Sequence, residues 1–229
     1  MYANTEMPSD FALVLFTLKM AAISTVVIAP FAIVLAAWSW RAGAKGIVLD
    51  AVGALPLVVP PTAVGFILLE LLSRRAPIGR FLDRIGIDVL FTPKAVVIAC
   101  GVMAFPLMFT AFRVAIETSE RRYFDIARTL GATPLRAFVR VTLPLAWRGL
   151  LSGVILAFCR ALGEFGATIL IAGNIPGRTQ TLALAIYDRV QSGRDADAGA
   201  LVFYVVAIAW LLVGTSGLLI AQQRKRFAA

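Results

Sequence analysis

The sequence predicts an all-α integral membrane protein with about five transmembrane helices, in one domain that covers residues 1–229. Hydrophobic residues make up 60% of the chain, and the mean hydropathy is +0.86, whereas a soluble domain is about half apolar. About five apolar runs alternate with polar segments, and roughly 20 apolar residues suffice to cross a bilayer as a helix. The net charge of +9 fits basic residues that flank membrane spans and face anionic lipid. We therefore expect a lipid bilayer around the chain and no nucleic-acid partner.

The composition also excludes several kinds of site. The chain contains no His, which removes His-based acid–base catalysis and His metal ligands, so we expect no catalytic and no metal site. No Gly-x-x-x-x-Gly-Lys-Ser/Thr sequence occurs, so the chain does not bind ATP through a P-loop, and we expect no cofactor in it. Cys100 and Cys159 both lie in apolar runs, where buried thiols are expected.

The first two predicted spans cover 11–40 and about 47–72. The segment before the first span has no Lys or Arg, so we expect that span to remain uncleaved. The second span contains consecutive prolines, Pro60 and Pro61, which remove backbone donors and kink a helix. Inside a bilayer the freed carbonyls need a protein or water partner. We expect this kink, with the neighbouring Thr62, either to line a polar path or to serve packing alone.

Three further parts of the chain are assigned from their polarity. Segment 73–93 interleaves charged and apolar residues, which indicates a helix at the membrane surface. The third span follows at about 94–116. A polar loop at 174–198 contains a short amphipathic helix at 182–190, and the fifth span is expected at about 199–221.

The fourth predicted span, at about 147–172, carries both a packing pattern and a charged pair. Gly149 and Gly153 form a small-xxx-small face for close helix contact. Arg160 and Glu164 are four residues apart and can pair on one face, with glycines on either side of the acid that loosen the helix. A charged pair at membrane depth indicates either a functional path or a structural pair inside the bundle.

The polar stretch at 119–144 predicts a helical hairpin at the membrane surface. Its first half has an apolar stripe at helical spacing, formed by Tyr123, Ile126, Ala127 and Leu130. Gly131 follows where a helix C-cap needs a left-handed backbone. Thr133 and Pro134 then have the pattern of an N-cap and a first helical residue, and we expect Leu143 and Pro144 to end the second helix. Such a hairpin cannot bury its stripe alone, so it needs a partner surface.

The hairpin resembles the signature loop of ABC-importer permeases, whose pattern is Glu-Ala-Ala, three residues, Gly, nine residues and Ile-x-Leu-Pro. The matching positions are Asp125, Ile126, Ala127, Gly131, Val141, Leu143 and Pro144. Asp125 keeps the charge of the family's Glu on a shorter stem, and Ile126 is bulkier than the family's Ala. In that family the loop is the coupling helix that docks into the cytoplasmic ATPase, and the resemblance implies this ATPase-coupling role here.

A second resemblance is more specific and covers nearly the whole chain. The stretch ALGEFGATILIAGNIPGRTQTLALAIY in 157–187 and LPLVVPPTAVGFILL in the second span are similar to the molybdate, tungstate and sulfate branch of these permeases. Within the branch, the short chain looks most like the molybdate permease subunit. The resemblance implies a type I ABC importer transmembrane domain in the inner (plasma) membrane. The implied partners are a second copy of the chain, two ATPase subunits that hold ATP and Mg²⁺, and a periplasmic or tethered molybdate-binding protein.

The resemblance also implies a translocation path at the two-fold axis of a homodimer. The candidate path residues are Pro60, Pro61, Thr62, Arg160, Glu164, Thr168 and Asn174. A dianion needs donors only transiently on such a path, since a tight site slows release. We therefore expect polar lining rather than a defined binding site.

The expected topology follows from the number of spans and the side of the hairpin. Five spans with a cytoplasmic hairpin place the N-terminus outside and the C-terminus in the cytoplasm, and a modest excess of Lys and Arg on the inner side agrees. The alternatives are a sulfate or thiosulfate permease of the same branch, and a passive channel, which has no use for a cytoplasmic hairpin. A lipid-modifying membrane enzyme needs a catalytic cluster, for which a chain without His offers little. The sequence does not separate molybdate from tungstate.

Overall fold

The computed structural model describes residues 9–43, 46–119 and 121–227, and for 212, 213 and 215–227 it describes the backbone alone. All regular elements in these ranges are helical. In chain order they are α1 (Asp10–Ala42), α2 (Gly46–Val58), α3 (Pro61–Leu72), α4 (Pro77–Arg84), α5 (Pro93–Thr118), α6 (Arg121–Thr129), α7 (Pro134–Ala137), a π-helical segment (Phe138–Thr142), α8 (Leu143–Leu162), α9 (Gly166–Ile171), α10 (Leu182–Gln191) and α11 (Asp195–Phe227).

The helical fold class is as predicted, but the described residues give three candidate spans, or four if the bent pair counts as one, against about five predicted. Among the described residues, α1, α5 and the continuous helix Pro134–Leu162 are long and apolar enough to cross a membrane, and the pair α2 and α3 is a further candidate. The predicted fifth span, 199–221, lies within α11, a helix of 33 residues. The structure does not describe the side chains of the C-terminal part of α11, which include the basic residues of the tail. Lys45 also lies outside the described residues.

Helix α5 lies at the centre of the bundle, between α1 and α8, because small residues let the backbones approach. A Cβ added at Gly149 would lie 2.5 Å from the Cβ of Ala115, and one at Gly153 would lie 2.9 Å from the ring of Phe112. Close approach maximises van der Waals contact, which drives helix association in lipid. The predicted small-residue face of the fourth span is therefore confirmed, and its partner is α5.

The second predicted span is wrong as a single kinked helix. It is two helices, α2 and α3, bent by 104°. Pro60 has extended backbone angles, φ −52° and ψ 134°, since a residue that precedes proline avoids the α conformation. Pro61 then starts α3 at a position where a missing N–H costs nothing. Two adjacent prolines thus end one helix and begin another, instead of bending one.

The fourth predicted span also differs from the structure at both of its ends. Leu143 and Pro144 do not end the hairpin's second helix, which continues unbroken as Pro134–Leu162. The π-helical turn before Pro144, in which the Leu143 N–H donates to the Phe138 carbonyl, widens the helix where a proline ring would otherwise meet the preceding turn. At the other end the helix stops at Leu162, and α9 begins only at Gly166.

The surface helices lie near opposite ends of α1. The predicted loop helix is present as α10, whose first N–H, at Leu182, donates to Thr17 Oγ1 of α1 over 2.9 Å. Arg189 of α10 also pairs with Asp10 at the start of α1. At the far end of α1, Trp40 contacts Phe124 of α6 with ring centroids 5.3 Å apart. At about 1.5 Å per residue, the 33 residues of α1 separate these ends by roughly 50 Å.

Segment 73–93 contains the helix that its charge pattern predicts. It is α4, eight residues long, and most of its residues are exposed. Arg74 lies 3.1 Å from Asp83 and 3.4 Å from Asp88. These three side chains tie the loop that follows α4 to the end of α3.

Candidate functional site

The turn after α6 is built around Gly131, as the sequence predicts. Gly131 has φ +86°, a left-handed conformation that costs glycine little and other residues more. The Ala132 N–H donates to the Ala127 carbonyl over 3.0 Å, and the Gly131 N–H donates to the Arg128 carbonyl over 3.1 Å. This pair of bonds is a Schellman motif, which satisfies the last carbonyls of a helix. The next helix therefore leaves α6 in a defined direction.

The second half of the hairpin also begins as predicted. Thr133 is the N-cap of α7, and its side chain accepts a hydrogen bond from the Arg136 N–H over 3.3 Å. Pro134 occupies the first turn, where its fixed φ suits a helix. Both starting signals are local to these residues, which explains why the sequence alone reveals them.

An apolar groove of about 490 Å³ lies between α6 and the start of α8. Seven of its lining residues are Tyr123, Ile126, Ala127, Leu130, Val141, Pro144 and Leu145, and the eighth is Arg140. Four of these, Ile126, Ala127, Val141 and Pro144, are predicted coupling residues. Leu130 is 83% exposed, so the predicted apolar stripe has no cover within the described chain. An apolar groove on a hairpin beyond the spans indicates a protein partner.

The other three predicted coupling residues do not line this groove. Asp125 is exposed on α6, Leu143 is half-buried, and Gly131 occupies the turn. The hairpin therefore offers Asp125 as an accessible charge next to an apolar surface, and Gly131 acts through backbone geometry.

The opposite face of α6 is fixed to the membrane-spanning bundle. Phe124 packs edge-on against Trp40 at the end of α1, and the Arg121 guanidinium lies 5.6 Å from the centroid of the same Trp40 ring. Phe138 belongs to the same apolar cluster as Trp40. The bundle thus holds one side of the hairpin while the groove faces outward. No sequence pattern predicts these contacts of Trp40, because Arg121 and Phe124 are remote from it in the chain.

The break between α8 and α9 is organised by Glu164, which is only 1% exposed. Arg160 Nη1 lies 2.8 Å from Glu164 Oε2, so the predicted pair forms. The other carboxylate oxygen, Oε1, accepts a hydrogen bond from the Ala167 N–H over 2.8 Å. Because α8 ends at Leu162, Glu164 lies beyond the helix and joins it to the first turn of α9.

Helix α3 brings the proline break close to this carboxylate. A Cβ added at Gly166 would lie 2.7 Å from the Cβ of Pro61 and 3.3 Å from the backbone nitrogen of Thr62. Pro60 and Thr62 are exposed, and Pro61 is half-buried. The consecutive prolines and the start of α9 are therefore neighbours, as a common path requires.

The last two predicted path residues supply buried polar atoms. Thr168 is fully buried, and neither its Oγ1 nor the Asn174 Oδ1 has a hydrogen-bond partner in the described part of the chain. Buried polar atoms are normally paired, so these two are exceptions among the described residues. Asn174 lies past the end of α9, apart from the Arg160 and Glu164 pair.

A polar cluster that joins the end of α1, the start of α2 and the end of α5 was not predicted. Its members are Ser39, Asp50, Arg113 and Glu117. The sequence does contain one indication of this cluster. Asp50 is an acid inside an apolar run, and such an acid needs a partner.

Among the described residues no group of three or more Cys, Asp and Glu side chains is placed to hold a metal ion. The polar atoms around the break belong to one carboxylate, one guanidinium, a hydroxyl and an amide.

The chain was compared with known proteins. Residues 10–226 match the family described as binding-protein-dependent transport system inner membrane component. The molybdenum transport system permease protein ModB of Escherichia coli K12 is 40% identical over 220 residues, which cover 95% of this chain and 96% of that protein. The putative molybdenum transport system permease protein YvgM of Bacillus subtilis is 40% identical over 205 residues, which cover 89% and 90%.

Two solved structures resemble the fold. The inward-facing MetNI methionine ABC transporter aligns with a TM-score of 0.66 at 15% identity, over 91% of this chain and 95% of that one. An amino acid ABC transporter aligns with a TM-score of 0.58 at 18% identity, over 94% and 93%. At these identities the likeness concerns the arrangement of helices alone.

Proposed function

Because this chain belongs to the family of binding-protein-dependent transport system inner membrane components, we propose that it is the permease subunit of an ATP-driven importer of molybdate. The relatives at 40% identity align over most of this chain, and they are named molybdenum transport permeases. The oxyanion passes from a binding protein into the cytoplasm, and tungstate, of nearly the same size and charge, takes the same route.

The observation that carries this function is the uncovered groove of the hairpin. It is apolar, it includes four residues of the coupling pattern, and it faces away from the bundle that holds the other side of α6. A cytoplasmic ATPase is the partner proposed for it, and hydrolysis takes place on that partner, in which ATP and Mg²⁺ are bound. Two copies of this chain, each docked to one ATPase, form the transporter.

The path of the anion lies along the break between α8 and α9. Arg160 supplies positive charge at membrane depth, and Glu164 compensates it, so the anion is not held tightly. Thr168, Asn174 and the exposed backbone at the α2–α3 break supply polar contacts in series. Donors spread along the route, rather than gathered in one cage, allow release at the cytoplasmic side.

The proposal is tested with the permease expressed together with its candidate ATPase and binding protein. The three should co-purify. Right-side-out vesicles that contain them should accumulate molybdate only when ATP is present. Uptake is measured for molybdate, tungstate and sulfate at equal concentrations, with a hydrolysis-deficient ATPase as the control.

Three results would contradict parts of this function. Preferred uptake of sulfate would indicate a sulfate or thiosulfate permease. Uptake that is equal with and without ATP would indicate a passive channel. Failure of the ATPase to co-purify would remove the role proposed for the hairpin.

A further inference from the structure

The cluster at the ends of three helices joins them through one arginine. Arg113 of α5 donates from Nε to Ser39 Oγ of α1 over 3.1 Å, and the same Nε lies 3.7 Å from Asp50 Oδ1 of α2. Ser39 in turn donates to Asp50 Oδ1. Its Oγ also lies 3.3 Å from the Gly46 carbonyl at the start of α2. The side chain of Arg113 is 17% exposed, so water screens these contacts only in part.

Helix α2 has few other buried residues that hold it against its neighbours. Its buried residues are Gly46 and Gly53 alone, and both are glycines that let a neighbour approach. At Gly53 an added Cβ would lie 2.7 Å from the ring of Phe109. Asp50 is therefore the side chain through which α2 makes charged and hydrogen-bonded contact with α1 and α5.

One end of the cluster adjoins the hairpin. Ser39 precedes Trp40, and the Trp40 ring contacts both Phe124 and Arg121 of α6. A displacement of α6 by a docked partner therefore acts on the end of α1, where Ser39 holds Asp50.

The other end of α2 leads to the break between α8 and α9. After α2 the chain turns by 104° into α3. There Gly65 lies against Ala167, with an added Cβ 2.8 Å from its Cα. Ala167 is the residue whose N–H binds Glu164. A rigid movement of α2 is thus passed through packed backbone to the neighbourhood of Glu164.

We propose that Asp50 is a positioning residue, which with Ser39 and Arg113 makes α2 follow the coupling hairpin and so links ATP hydrolysis to the opening of the path. The proposal rests on the transport function proposed above. Asp50 touches neither the partner nor the anion. Asp50 holds the ends of α1, α2 and α5 in one arrangement. Movement at the hairpin therefore displaces α3 and α9, which it would not do if α2 moved independently of α1 and α5.

The test uses the assembled complex with its ATPase in lipid nanodiscs. The permease carries Cys100→Ala and Cys159→Ala, and Thr62→Cys reports on the α2–α3 break through its rate of reaction with a maleimide. In this parent we expect ATP to change the labelling rate at least about fivefold. In Asp50→Asn, which keeps size but loses charge, we expect the change to fall below about twofold, while the amount of bound ATPase stays at the parent level.

Two further variants separate positioning from simple stability. Ser39→Ala removes the bridging hydroxyl without touching a charge and should weaken the response in the same direction. Glu117→Gln removes the second partner of Arg113. The Glu117 side chain is 63% exposed and lies on α5 itself, so this variant should respond to ATP like the parent.

The outcomes are distinct. A full ATP response in Asp50→Asn and Ser39→Ala would overturn the proposal, and so would a parent whose labelling is indifferent to ATP. If labelling responds as expected but no molybdate enters vesicles, the positioning role stands and the substrate proposed above is wrong. Loss of assembled complex in Asp50→Asn, with unchanged labelling response in Ser39→Ala, would assign the cluster to stability alone and reject the proposal.

Discussion

Glu164 shows how one buried carboxylate is held in place beside a helix break. Its Oε2 lies against the Arg160 guanidinium, and its Oε1 receives the Ala167 N–H. An uncompensated charge at this depth is costly, whereas a paired and hydrogen-bonded one is tolerated. The N–H groups at the start of a helix have no partner within the helix, so the carboxylate also satisfies one donor of α9. The acid therefore joins two helices that the chain itself leaves separated.

Removal of Glu164 is expected to destabilise the transporter. Glu164→Ala leaves Arg160 poorly compensated and an N–H of α9 unbonded, a cost of about 3 kcal/mol or more for a buried pair. Glu164→Gln keeps an acceptor for the Ala167 N–H and should lose less. The yield of assembled complex and the uptake per complex measure both effects. Asp195→Ala, at an exposed acid, is the control. Parent-level yield and uptake in Glu164→Ala would mean that the carboxylate is open to water.

At the residue scale, the sequence reveals pairs that are close in the chain and misses those that are remote. The spacing of Arg160 and Glu164 is sufficient to predict their contact, because four residues is about one helical turn. Ser39, Asp50 and Arg113 come from three helices. No periodicity relates them, and only the packing of α1 and α2 on α5 brings them together.

At the element scale, the hairpin depends on the direction in which one helix leaves the other. Gly131→Val is expected to misdirect α7, since a left-handed conformation costs a β-branched residue roughly 1–2 kcal/mol. An added Cβ meets nothing within 4 Å, so the effect is one of backbone conformation and not of collision. We expect near-normal insertion and dimerisation, with reduced recovery of the ATPase or hydrolysis without uptake.

Two control variants are matched to this change. Gly193→Val meets the same strain, at φ +69° with no neighbouring atom, but lies between α10 and α11, and it should bind the ATPase normally. Gly131→Asn tolerates the left-handed region and should resemble the parent. Equal ATPase recovery in Gly131→Val and in both controls would exclude the direction of α7 as a determinant of docking.

The groove itself is tested by a charge on its surface. Ala127→Arg places a guanidinium in the apolar lining, where contact with a partner would desolvate it. Thr129→Arg adds the same charge to α6 at an exposed position away from the lining. We expect the first variant alone to lose ATPase binding in co-purification, with both inserted normally. Parent-like binding by Ala127→Arg would place the partner on another face of the hairpin.

Elements whose signals are local could be predicted, and those set by a competition between signals could not. Thr133, Pro134 and Gly131 act on their own turns, and the loop helix α10 follows from one short amphipathic pattern. The sequence predicts a helix end at Pro144, but a π-helical turn accommodates the proline. It predicts kinks within one span at Pro60 and Pro61, whereas together they separate two helices. A sequence pattern does not state whether a helix widens, bends or stops at proline.

At the scale of the whole molecule, α1 defines two surfaces that cannot lie on the same side of a bilayer. Its start is bound to α10 and its end to α6, roughly 50 Å apart by helix length, while the hydrocarbon core is about 30 Å thick. The predicted fold class and family are confirmed by the match over residues 10–226 and by the helix arrangement shared with importer permeases. These two findings concern the fold and the family, and the side of the membrane that each surface faces is a separate question.

The orientation is therefore predicted from the hairpin and the distribution of charge. Arg121, Arg122 and Arg128 belong to α6, the helix that carries the groove, and basic residues are retained in the cytoplasm. We expect the N-terminus outside and the C-terminus inside. In a chain with Cys100→Ala and Cys159→Ala, an impermeant thiol reagent added to intact cells should label Ser192→Cys, exposed between α10 and α11. It should not label Thr129→Cys in α6 until the membrane is opened. Labelling of Thr129→Cys in intact cells, with Ser192→Cys protected, would place the hairpin outside, where no ATP is available to a docked partner, and would remove the basis of the coupling role.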